Sequence, residues 1–323
     1  MYLKLRKSVR RLALLCASSI VLASTAATLI CFPWNTDPRG DATAQTRNFY
    51  EKAYATTGVV PQEAPAGVQP ISAKEQFYVD FARQAASQAR ISEKIDNSIE
   101  RFGLRPKKIL EVGAGSGVLQ DLVPDYTALD ISATAQRFFH KPFVEASATD
   151  MPFPDNTFDG IWSVWVLEHI PNPEKALLEM RRVVKPGGYL FLYPAFDVST
   201  YAAQGYGVRP YGDFDWKGKL MKATIPLSTS RVWHYLQFHQ VRALRFLGAR
   251  VSPGPSRLHF VNLTPNYDQY WMADSDAAIS LSAYELARWF TTRGDRCIDC
   301  PSEIRMVLRD VDIDNLTIQI LKH

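Results

Sequence analysis

From about residue 107 onward, apolar positions come in short continuous runs separated by polar stretches of helical length. Lys107–Val112, Tyr126–Ile131, Phe143–Ala146, Phe158–Val166 and Tyr189–Tyr193 have the pattern of strands buried on both faces. Between them, Gly117–Val123 reads as a helix opening. Pro173–Val184 reads as an amphipathic helix, stopped by Lys185-Pro186-Gly187-Gly188. Strands alternating with helices imply a parallel sheet with right-handed crossovers. The rhythm dissolves between Ala195 and Ser280, which is rich in aromatic residues and proline. It resumes with a helix over Ala283–Thr292 and strands over Ile304–Leu308 and Leu316–Leu321. The expected fold is therefore α/β: a doubly wound, mostly parallel, Rossmann-like sheet of seven strands with an α/irregular insertion.

Ahead of the sheet, Ser72 with Glu75 forms a capping box. Phe77, Phe81, Ile91, Ile95 and Ile99 then follow at helical spacing until Arg105-Pro106. Residues 33–71 read as a proline-punctuated linker with a short helix at Asn48–Tyr54. The expected organisation is a core over 72–194, a substrate lid over 195–280 and the end of the sheet domain over 281–323.

Charge changes the picture at the N-terminus. The formal net charge is +4, yet five cations and no acid fall within residues 1–11, so the remainder nets −1. A near-neutral body argues against a nucleic-acid partner. Leu12–Phe32 then runs without a charge, and as a helix would span about 31 Å, close to the apolar thickness of a bilayer. An N-terminal apolar helix acting as a single-pass membrane anchor is the expectation. A cleaved signal peptide, leaving a secreted or periplasmic domain, is the alternative.

The stretch "ILEVGAGSGVLQ", Ile109 to Gln120, sits where a nucleotide-cradling loop should be, between strand and helix. Its spacing is Gly113-x-Gly115-x-Gly117, followed by Val118, and not the G-x-G-x-x-G of a dinucleotide fingerprint. The Lys-Ser/Thr of a P-loop is also missing. Alone, the glycines fit a structural turn equally well. Asp130, ending the second strand, is placed to accept both hydroxyls of a ribose, or to cap a turn. Asp150 could accept from an adenine amino group while Met151 packs on the ring; a solvated loop acid is the plainer reading of Asp150.

These residues, with "ALDIS" and "ATDMPFPDNTFDGIWSVWVLEHIPNPEKALLEMRRVVKPGGYLFL", resemble the class I S-adenosylmethionine-dependent methyltransferases. Within that class the similarity is to the family with the ubiquinone/menaquinone-biosynthesis type of domain, over residues 107–194. The resemblance implies S-adenosyl-L-methionine as cofactor. Glu111, Gly113, Ala114 and Gly115 would cradle its methionine and ribose portions. Asp130 would bind the ribose hydroxyls with Ile131 beside the adenine, and Asp150 and Met151 would hold the adenine edge. Ser163 and Trp165 would line the methyl-transfer end. It also implies a last strand antiparallel to the rest.

In-line displacement of a methyl group needs positioning above all, so no catalytic residue is obligatory. His169 is the candidate base for an oxygen nucleophile; His234 and His239 read as packing. The lid's aromatics and arginines, Tyr201, Tyr206, Tyr211, Phe214, Trp216, Trp233, Tyr235, Phe238, Arg209, Arg231 and Arg242, suit a small-molecule acceptor that is ring-bearing, sugar or lipid-like. They suit a second hydrophobic core equally. Tyr50 and Tyr54 are placed to cap the cofactor. Cys297-x-x-Cys300 lacks a second pair for zinc and reads as packing cysteines, with a reversible disulfide as the lesser alternative. No metal is expected. The rival functions are a catalytically inactive methyltransferase-like binding module and an NAD-dependent reductase.

Overall fold

The computed structural model describes residues 10, 14–23, 43–55, 71–199, 201, 205–228, 230–251, 253–265, 274–308 and 313–321. Nine strands are named among them. Seven form one sheet, in the order β3-β2-β1-β4-β5-β9-β8. β1 (Ile109–Val112), β2 (Tyr126–Asp130), β3 (Phe143–Glu145), β4 (Phe158–Val164) and β5 (Val184–Tyr193) pair in parallel. β9 (Leu316–Gln319) runs antiparallel to β5, and β8 (Arg296–Cys297) antiparallel to β9. β6 (Val261–Asn262) and β7 (Ile279–Ser280) form a separate ribbon.

Alternation along the strands serves two cores. Leu110, Val112, Ile161, Leu190 and Leu192 face α4 (Pro173–Val183), α7 (Ala283–Thr291) and α8 (Glu303–Leu308). Ile109, Ala128, Trp162 and Phe191 face α3 (Ile91–Phe102), whose Ile91, Ile95 and Ile99 are buried at i, i+4, i+8 spacing. Each such isoleucine contributes about 1.5–3 kcal/mol by leaving water.

The long helix expected from Ser72 is two helices. α2 (Ile71–Gln88) and α3 are separated at Arg90, which is left-handed (φ 54°), and α3 ends on Gly103 (φ 63°) ahead of Arg105-Pro106. α2 starts at Ile71, so Ser72 does not cap it. No helix forms at Gly117–Val123; the segment is a series of turns. Gly113, Gly115 and Gly117 all have positive φ, and Pro124 leaves too little chain for a helical nucleus to repay its cost. The Lys-Pro-Gly-Gly stop lies inside β5 as an irregularity between Val184, paired with Phe158, and Tyr189, paired with Gly160. Ile304–Leu308, expected as a strand, lies within α8, because Glu303 and Ser302 start a turn that packs Met306 and Val307 into the core. The strand beside β9 is instead β8, too short for its period to be read.

Residues 14–23 are helical and solvent-exposed. Ten residues reach only about 15 Å, and among the described residues no helix is long and apolar enough to cross a membrane. The spanning helix expected over 12–32 is thus unsupported; the rest of that run lies outside the described residues. Cys297 and Cys300 form a disulfide, so the reading as reduced packing cysteines is corrected.

Candidate active site

β1 has β2 on one side and β4 on the other, so the strand order reverses there. An open α/β sheet leaves its ligand crevice at the carboxyl ends of the strands flanking such a reversal. A cavity of about 520 Å³ lies at this place, within the usual range for a small-molecule site. Gly113, following β1, and Trp165, following β4, both line it. Trp165 has φ 53°, in the left-handed region, which a bulky residue occupies only where the surroundings hold it there.

Asp130 lines this cavity. Its Oδ2 accepts the Gly115 amide at 2.8 Å and its Oδ1 the Ser132 amide at 3.0 Å. Burial pushes this carboxyl up to about 6 despite those bonds. Ile131 and Asp150 line the same cavity. Gly113 admits no side chain: a Cβ there would sit 2.3 Å from Val166 Cγ2. Gly115 lies directly under Tyr54, whose hydroxyl a Cβ would meet at 3.3 Å.

Five predicted site residues stand off the cavity wall. Glu111 is buried and accepts the Tyr126 hydroxyl, and burial pushes it up to about 8. Its side chain follows the alternation of β1 to the α3 face, beside Tyr126. Ala114 and Gly115 are also absent from the lining, although the Gly115 amide holds Asp130. Met151 packs into the core, while its amide donates to Glu179 Oε2 and its carbonyl accepts from Arg182. Ser163 is buried, and among the described residues its hydroxyl has no hydrogen-bond partner.

His169, in the turn after β4, lines the same cavity. Its Nδ1 lies 3.2 Å from the Asp276 carbonyl oxygen. The Glu168 and Asp276 carboxylates each stand 3.9 Å from a ring nitrogen. Burial works against the charged imidazole, but Asp276 and Glu168 outweigh it and hold its pKa above the ordinary value. Glu168 is fully buried, and burial raises it to about 7 although the charge of His169 and the backbone amides of Glu168 and Ala195 favour the carboxylate.

α1 (Thr43–Ala55) closes this arrangement. Glu51 accepts the amides of Ala133 and Thr134, docking the helix on the loop after β2. Tyr50 donates to Asp276 Oδ2 at 3.1 Å and stacks on Tyr54. Thr46, Tyr50, Tyr54 and Tyr78 all line the cavity. The sequence signalled Tyr50 and Tyr54. It gave no sign of Asp276, Tyr78 or Thr46, which reach the site through tertiary packing, and Asn172 and Lys175, which follow His169 closely in sequence, went unread. Among the described residues, none of the lid's aromatic or arginine candidates lines the cavity. Tyr206 stacks on Phe214, Arg242 bonds the Met306 carbonyl and His239 the Val307 carbonyl. The side chains of Arg231, Trp233, His234, Tyr235 and Phe238 lie outside the described residues. Among the described residues, no cluster of His, Cys, Asp or Glu could hold a metal ion.

The family model for "Methyltransferase domain" matches residues 110–192, the segment from β1 to β5. Residues 110–192 thus carry a methyltransferase domain. The methyltransferase domain is 30% identical over 196 residues to a fatty-acid O-methyltransferase of Mycolicibacterium smegmatis, covering 51% of this chain and 66% of that one. It is 36% identical to a demethylmenaquinone methyltransferase of Renibacterium salmoninarum, over 30% of this chain and 47% of that one. It is 28% identical to a ubiquinone/menaquinone biosynthesis C-methyltransferase of Cupriavidus taiwanensis, over 47% and 71%. The chain thus spans less than two thirds of the first two relatives. S-Adenosylmethionine fits this methyltransferase domain, because the bare backbone at Gly113 and the Asp130 carboxylate border a cavity of adequate size.

Proposed function

We propose that this protein methylates a hydroxyl of a small, lipid-like acceptor, with His169 taking the acceptor's proton. The observation that carries the reading is that Asp130 and a carboxylate-flanked imidazole, His169, line the same cavity. Bound S-adenosylmethionine supplies an electrophilic methyl group. Asp130 would hold its ribose hydroxyls, Ile131 and Asp150 its adenine, and the Gly113 backbone its methionine portion. His169 donates Nδ1–H to the Asp276 carbonyl, which leaves Nε2 to receive a proton from the acceptor oxygen. The tyrosines of α1 and α2 exclude water and present an apolar wall to a ring or chain. Relatives named for fatty acids, sterols and quinone precursors support an acceptor of that class.

The test is a labelled-methyl assay against lipid extracts, with calorimetry of cofactor binding. Transfer to a lipid fraction that His169→Asn reduces about 10²–10⁴-fold, at unchanged cofactor affinity, is the expected result. A protein that binds no cofactor is instead the inactive binding module. One that transfers methyl as well without His169 has another proton acceptor.

A further inference from the structure

The insertion after β5 leaves the carboxyl edge of the sheet and builds two helices that the site does not use. They are α5 (Trp216–Ser228) and α6 (Arg231–Val251). α6 has one inward face. Val241 and Arg242 are buried, Arg242 bonds the Met306 carbonyl, and Arg245 pairs with the buried Glu285. Its other face carries Leu244, Leu247 and Val251 at i, i+3 and i+7, a continuous apolar row, with Leu247 58% and Val251 86% exposed. α5 likewise leaves Trp216 71% and Leu220 60% exposed, one turn apart. Isolated exposed apolar residues need no explanation, but rows of them on adjacent helices mark a contact surface.

Charge identifies what that surface meets. Residues 216–267 contain eight Lys or Arg and no Asp or Glu, in a chain whose net charge is only +4. Lys217, Lys219 and Arg250 are exposed beside the apolar rows, while Lys222 is spent on the carbonyls of Tyr206, Gly207 and Arg209. The nearby acids, Asp213 and Asp215, precede α5, and Asp215 is engaged in capping it through the Gly218 amide. Tryptophan and leucine interleaved with lysine, and no acid, is the composition of a helix lying in the interface of an anionic bilayer.

We propose that the α5–α6 hairpin docks the protein on an anionic lipid surface, with Trp216, Leu220, Leu247 and Val251 entering the headgroup region and Lys217, Lys219 and Arg250 meeting lipid phosphates. This holds whether or not the domain transfers methyl groups.

The test is flotation of the full chain with vesicles of phosphatidylcholine alone, or of equal parts phosphatidylcholine and phosphatidylglycerol. The wild type partitions onto the anionic vesicles about a hundredfold better than onto the neutral ones, about a factor of five for each of the three cations. Lys217→Gln/Lys219→Gln loses about thirty-fold of that partition, since each surface cation contributes about a factor of five. Leu247→Asp loses a comparable share. Both variants keep wild-type cofactor affinity and melting temperature, which shows that they fold. The N-terminal segment is present in every protein, so the differences report the hairpin. Variants that float as the wild type does, equal binding to neutral vesicles, or binding to heparin without binding to vesicles would each overturn the proposal.

Discussion

His169 Nδ1 lies 3.2 Å from the carbonyl oxygen of Asp276, a residue 107 positions further along the chain. The Asp276 carboxylate accepts from Tyr50 of α1 at the same place. Three segments remote in sequence therefore set the protonation of one imidazole. Replacing Asp276 with Asn removes a charge that raises the His169 pKa. The expected outcome is a lower His169 pKa, read by NMR titration of the ring, and an acidic limb of the pH–rate profile displaced to lower pH. An unmoved titration would mean that Glu168 alone holds the proton.

Asp130→Ala removes a carboxylate that lines the cavity. Loss of a charge-assisted pair of hydrogen bonds weakens cofactor binding by roughly 1.5–3 kcal/mol, one to two orders of magnitude in affinity. Isothermal calorimetry on the folded variant reads this directly, and an unchanged affinity would sink the assignment.

Gly113→Ala places a Cβ 2.3 Å from Val166 at a backbone φ of +73°. Overpacking costs about 1–3 kcal/mol and the left-handed conformation about 1–2 more. Urea unfolding should show both together. Adding Val166→Ala should restore only the packing share, so the double variant remains less stable than Val166→Ala alone.

Burial holds Glu111 at about 8 and Glu168 at about 7, against 4.5 for an exposed glutamate. The native protein keeps protons there that the unfolded chain has released. Their stabilising contribution is complete below about pH 4.5 and is lost as pH rises through about 8. His169, also raised, loses stability in the same direction. Urea midpoints should fall between about pH 5 and about pH 9 by an amount on the order of a few kcal/mol in free energy. Glu111→Gln should flatten much of that slope; a slope unchanged by it would place the titration elsewhere.

Much of the fold was legible because its evidence is local. β1, β2, β4 and β5 are runs of apolar residues whose burial on both faces dictates composition, and Asn172-Pro173 starts α4 by its own chemistry, with Asn172 accepting the Lys175 amide. Strand-end chemistry placed Gly113, Asp130 and Asp150 on the cavity. The misses have equally local causes. Gly117–Val123 has helix-like apolar spacing but is too short and glycine-led to nucleate. Ile304–Leu308 carries no period that separates a short buried helix from a strand.

The sequence by itself determined a mostly parallel sheet and set Gly113, Asp130 and Asp150 in the loops after its strands, since alternation and strand ends are local properties of the chain. Only the tertiary structure decided what closes that crevice. Packing swung Glu111 and Met151 off the cavity wall, brought Tyr50 and Asp276 to His169 from α1 and the segment before β7, and set Tyr78 of α2 against Tyr50. The physical reason is that a side chain's neighbours across hundreds of residues depend on how helices dock on the sheet, and no spacing along the chain encodes that docking.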